Sequence, residues 1–166
     1  TCMVVVPPTS QGPNSSPRFN ALPPLAMCLG APFAFGHTAI DPDGDSLVYA
    51  LTTPYHGGTS LVPNPVPTAP PFELVPWAPG FAENDPLGTT PPLSIDAVTG
   101  DIAVTPALQG NYNLAFAVQE YRNGVLLSEV RRDLRYAVVA CVPAEATVPA
   151  QPQTSLCQGL QQNFGA

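Results

Sequence analysis

The stretch NYNLAFAVQEYRNGVLLSEVRRDLRYAVVAC, residues 111–141, decides the fold. Apolar side chains alternate with small or polar ones on both sides of a turn. Tyr112, Leu114, Phe116 and Val118 share one face of a strand at 111–121, and Leu134, Tyr136 and Val138 line one face of a long strand at about 125–140. A period of two marks a half-buried strand, and Arg122-Asn123-Gly124 supplies a hairpin turn. Loop length then sets the register. A two-residue loop puts apolar Phe116 opposite Arg131, whereas a three-residue loop ending in a left-handed Gly124 puts Phe116 opposite Val130 and Tyr112 opposite Leu134. The second register keeps one face apolar and is the expected one.

The same alternation recurs upstream. Phe33 and Phe35 share a face at 32–37, and Leu47, Tyr49 and Leu51 do so at 46–52. Shorter strands fit at 17–21, 93–95 and 101–104, the last two joined through the turn Asp96-Ala97-Val98-Thr99-Gly100. No helix longer than a turn or two is expected. Seven short strands divided by turns predict an all-β, immunoglobulin-like sandwich over 17–141. Segments 1–16 and 142–166, rich in Pro, Ser and Gln, read as terminal arms or linkers, and Met3–Val6 is a strand candidate without an obvious partner inside 17–141. Residues 54–92 form a long Pro-rich insertion with eleven prolines and the only tryptophan. It reads either as a flap packed on one sheet by Trp77 or as a binding feature.

Composition excludes several functions. The net charge is −7, with no lysine and five arginines (Arg18, Arg122, Arg131, Arg132 and Arg135). Nucleic acid binding needs a cationic face to displace counterions from phosphate, and anionic membrane surfaces select the same feature. Without lysine, Schiff-base chemistry and Lys–Asn isopeptide links are ruled out. No apolar run reaches membrane-span length, and membrane insertion is not expected. Cys2, Cys28, Cys141 and Cys157 lack CxxC spacing and neighbouring histidines, so disulfides in an oxidising compartment are expected rather than zinc. No signal peptide is visible, and the start reads as a mature or excised one.

Asp41-Pro42-Asp43-Gly44-Asp45 is the one dense acidic cluster. Three carboxylates in five residues repel one another unless a cation or backbone donors offset them, so the turn is either a solvated connection or a site for calcium, which prefers hard oxygen ligands. In an immunoglobulin-like sandwich the loop after the second strand and that of the last hairpin share a pole. That topology brings Glu120 toward Asp41, Asp43 and Asp45 and favours calcium. It also places Cys28 and Cys141 together at the opposite pole, where a disulfide would close a loop spanning nearly the whole core. His37 and His56 sit in no motif that pairs them with a nucleophile, so a structural role for His37, a loop role for His56 and no catalysis are expected.

The stretches NSSPRFNALPP, CLGAPFAFGHTAIDPDGDSLVYALTTPY, PPLSIDAVTGDIAVTP and the hairpin above resemble cadherin-like or immunoglobulin-like modules of Bacteroidota cell-surface proteins associated with gliding motility and type IX secretion. The resemblance covers about residues 14–141. It implies a Greek-key sandwich, calcium at the Asp41–Asp45 turn, and a role in tandem arrays for adhesion or surface structure. Relatives often carry cysteines near Thr52 and Ala117 that are missing here, which leaves Cys28–Cys141 as the core cross-link.

The expected function is therefore a non-enzymatic, extracellular structural or adhesive module. Its partners would be neighbouring modules or identical subunits, joined through the arms, with Cys2 and Cys157 available as locks; the arms read equally as linkers of a longer tandem protein. The competing reading is a carbohydrate-binding module in which Tyr55, Trp77 and Phe81 stack on a surface polysaccharide. A flat row of exposed aromatics favours the second, a buried Trp77 the first.

Overall fold

The computed structural model describes residues 2–57, 61–63, 66 and 70–142. The chain is all-β: ten strands and a single 3-10 turn at Thr9–Gln11, with no α-helix among the described residues. The strands are β1 (Cys2–Val5), β2 (Arg18–Phe19), β3 (Ala26–Cys28), β4 (Phe33–Gly36), β5 (Ala39–Ile40), β6 (Ser46–Thr52), β7 (Ser94–Ile95), β8 (Asp101–Val104), β9 (Gly110–Arg122) and β10 (Val125–Val139). The main sheet runs β1-β10-β9-β6, and β3 adds in parallel along the far end of β10. A second sheet runs β4-β8-β7, and β2 pairs with β5. Both larger sheets feed one core: Leu114, Phe116, Tyr136 and Val138 from the first meet Ile102 and Val104 from the second, with Met27, Leu87 and Leu93. Burying side chains of this size is the main favourable contribution to folding.

The central hairpin departs from the expected register. Its loop has two residues, Asn123 and Gly124, both at positive φ (51° and 77°), with Arg122 facing Val125. The twist of such a turn matches that of the strands it joins. A β-bulge between Leu126 and Ser128 then shifts the pairing by one, setting Phe116 opposite Arg132 and Tyr112 opposite Tyr136. The expected partners, Val130 and Leu134, are displaced by two places. A shift of two preserves the faces, so Leu134, Tyr136 and Val138 still point to the core side. Arg132, brought opposite Phe116, lays its guanidinium over the Phe19 ring at 3.7 Å and donates to the Ala21 carbonyl at 2.9 Å.

Further differences follow from long-range contacts. β3 and β5 are too short for alternation to reveal. The strand expected at 17–21 contracts to Arg18–Phe19, which pairs with β5. β1, left without a partner by the sequence, pairs antiparallel with β10 from Cys2↔Arg132 to Val5↔Glu129. The 54–92 insertion also reaches inward: Leu87 is 1% exposed.

Candidate metal centre

The Asp41–Asp45 turn sits between β5 and β6, and Glu120 lies near the end of β9, which pairs with β6. Register does the rest: Leu47 is paired with Glu120, and Ser46 with Tyr121. One ligand oxygen from each of Asp41, Asp43, Asp45 and Glu120 lies within 4.8 Å of the others. The pole expected from topology is therefore assembled from all four carboxylates, and together they could hold a metal ion.

Each acid has a distinct role in the turn. Asp41 Oδ1 accepts the backbone N–H groups of Asp43 (2.9 Å) and Asp45 (3.0 Å), which fixes the loop with Gly44 at φ 80°. Asp43 is exposed and accepts the Ser15 N–H at 2.5 Å. Asp45 takes Arg122 through both oxygens, at 2.9 and 2.5 Å, and that guanidinium holds its carboxyl below the usual range. Glu120 is 0% exposed. Its Oε2 accepts the Ser128 hydroxyl and the Asn14 amide, the latter at 2.8 Å. Burial pushes the Glu120 carboxyl up despite those two donors, and the nearby Asp45 and Asp41 carboxylates push the same way.

Within the cluster, two buried carboxylate oxygens have no hydrogen-bond partner among the described residues: Glu120 Oε1 and Asp41 Oδ2. Native proteins rarely leave buried acceptors unpaired, because each loses its hydration without return. Arg122 neutralises part of the cluster, but its hydrogen bonds go to Asp45, Asn14 and the Pro13 carbonyl. A hard cation is the kind of partner that such orphaned carboxylate oxygens take, and one oxygen from each acid lies close enough to the others to share one, so these residues fit the group that their spacing suggested.

Asn14, Ser128 and Arg122 were not singled out from sequence as parts of this site. Arg122 carried a signal, being the residue before the hairpin turn. Asn14 lies 106 positions from Glu120, and no local pattern announces that contact.

At the opposite pole Cys28 and Cys141 form a disulfide with Cα atoms 5.3 Å apart. Cys2 opens β1, and Cys157, the other cysteine read as available for locking units together, lies outside the described residues. The aromatics of the insertion do not form one flat row. Trp77 is half-buried and donates from Nε1 to Thr53 Oγ1 at 3.1 Å, while Thr53 donates to Glu83. Phe81 tilts against Tyr112 at 6.0 Å, and Tyr55 meets Phe72 edge-on at 5.6 Å. Trp77 and Phe81 line one hollow and Tyr55 another. His37 is buried in the core, and His56 is exposed in the insertion. No described helix is long and apolar enough to cross a membrane. No family model, curated protein or solved structure matches the chain.

Proposed function

We propose that this chain is a non-enzymatic, extracellular structural or adhesive module of a bacterial cell-surface protein or filament, an immunoglobulin/cadherin-like Greek-key sandwich whose acidic pole holds calcium. The observation that carries the reading is Glu120, fully buried beside three aspartates with one oxygen unpaired. A buried carboxylate among like charges is costly unless a cation offsets it. Calcium suits the site because all the donors are hard oxygens and the set mixes a rigid turn with a strand residue. The disulfide accords with an oxidising, extracellular setting. Two sheets sharing one core accord with a sandwich. Neighbouring modules or identical subunits are the partners that such a unit would have.

Thermal unfolding with calcium and with excess chelator tests the reading. Binding to the folded form alone stabilises by about 3 kcal/mol at a calcium concentration about 100 times Kd, so the melting temperature rises with calcium. Glu120→Gln keeps the acceptor for Ser128 and Asn14 but removes the buried charge. It is expected to abolish the calcium increment while the metal-free melting temperature holds or rises. Asp43→Asn, at the exposed rim, weakens the increment without unfolding the domain. Identical melting curves with calcium and with chelator would reject the site.

A further inference from the structure

The outward face of the β9–β10 hairpin carries a second arrangement, remote in kind from the acidic pole. Asn113 is paired with Arg135, and Ala115 with Asp133, on the face opposite Leu114 and Leu134. The start of the insertion stands beside these polar groups. The result is a hollow of about 400 Å³ lined by Tyr55, His56, Val75, Asn113, Asp133 and Arg135 among others. A neighbouring hollow of about 290 Å³ contains Trp77, Phe81 and Tyr112, and the two share Pro54, Val75 and Asn113.

The walls are held in place without a ligand. His56 donates its N–H to the Glu73 carbonyl at 2.7 Å, and Val75 to that of Pro54 at 2.9 Å, so 54–56 and 73–75 run as a braced pair. The Tyr55 ring is fixed between the Arg131 guanidinium, 5.0 Å from its centroid, and the edge of Phe72. Trp77 is pinned through Thr53. A site already ordered loses less entropy on binding.

We propose that this double hollow is a saccharide site, with one pyranose ring in the hollow of Asn113, Asp133 and Arg135 and the adjoining residue of the glycan against Trp77 and Phe81. A carboxylate that accepts, a guanidinium that donates and an amide that does both match vicinal hydroxyls, each of which gives and takes a hydrogen bond. Aromatic rings beside them suit the apolar C–H face of a sugar. Phosphorylated ligands do not fit: a single guanidinium shares the hollow with a carboxylate, on a chain of net charge −7. The cavity lies within the size range of small-ligand sites. This inference goes beyond the calcium reading and uses none of its residues, so either can fail alone.

Isothermal titration at fixed calcium with glucose, galactose, mannose and N-acetylglucosamine, and with disaccharides of each, tests it. At least one sugar is expected to bind at millimolar Kd or tighter, and a disaccharide more tightly than its monosaccharide. Arg135→Ala and Asn113→Ala alter exposed side chains and should leave the melting temperature unchanged. Each should weaken binding about tenfold, as expected for losing hydrogen bonds at a charged or bidentate group. Asp133→Ala should do at least as much, and Trp77→Ala should remove the disaccharide advantage. Silence across the whole panel would overturn the proposal. So would binding that the Arg135 and Asn113 variants leave intact, or binding of inorganic phosphate in place of sugar.

Discussion

His37 and Glu120 are two buried titratable side chains in which burial disfavours the charged form, lowering the pKa of the first and raising that of the second. His37 is 1% exposed and stacks on Phe116 with ring centroids 4.0 Å apart. Its Nε2 meets the Tyr136 hydroxyl at 3.2 Å, while Nδ1 has no partner. Burial, with the Arg132 charge second, pushes its pKa down to about 4. The unfolded chain takes up that proton near the ordinary value of 6.5, while the folded protein refuses it until about 4. His37 therefore contributes stability that is complete above about pH 6.5 and is lost as pH falls toward 4, amounting to about 3 kcal/mol at most. Melting temperatures of wild type and His37→Phe across pH 4–7 check this. The gap between the two curves should change through that window in favour of the variant at low pH, and a constant gap would contradict it. Sequence marked His37 as structural because it ends a strand without a nucleophile nearby. Its depth in the core was not legible, since it depends on Phe19, Phe35 and Phe116 arriving from three different strands.

At the scale of elements, turns and register divide what sequence could tell from what it could not. Alternation located β4, β6, β8, β9 and β10 because each presents apolar side chains at every second place. The register of β9 on β10 was misread because a bulge adds a residue that no local pattern signals, although the core face survived the error. Two glycines separate the kinds of constraint. Gly124 is at φ 77° with nothing within 4 Å of where a Cβ would stand. Gly100 is at φ 76°, and a Cβ there would lie 2.8 Å from the Tyr49 ring and 3.0 Å from the His37 carbonyl. Gly124→Ala should therefore cost about 1–2 kcal/mol from backbone strain alone. Gly100→Ala should add a packing penalty of about 1–3 kcal/mol, because the ring and the carbonyl must both move. Chemical denaturation of the two variants checks the order, and equal losses would show that the Tyr49 contact yields freely.

Across the whole molecule, the two poles are closed by different chemistry. The Cys28–Cys141 disulfide joins residues 113 apart in sequence, and both were placed at one pole by topology. Non-reducing peptide mapping should recover that pair, and removing the bridge should cost roughly 2–5 kcal/mol. Either cysteine found as a free thiol would contradict it. The other pole gathers segments that sequence alone could not join. Pro13, Asn14 and Ser15 reach Arg122, Glu120 and Asp43, so the chain leaving β1 is tied to the turn after β5 and to the end of β9. The four acids were legible because DxDGD is dense and the sandwich expected from the strands puts its two loops together, a juxtaposition that the β6–β9 register supplies. Asn14 and Arg122 were not, because their roles exist only once the sheet forms. A crystal structure of the protein grown with calcium, examined for anomalous scattering at this pole, is the direct test of the central claim. The account predicts an ion with oxygens of Asp41, Asp43, Asp45 and Glu120 at roughly 2.3–2.6 Å, including the two oxygens that lack partners. Calcium-saturated crystals with no ion there, and Arg122 still bound to Asp45 as the only counter-charge, would contradict it.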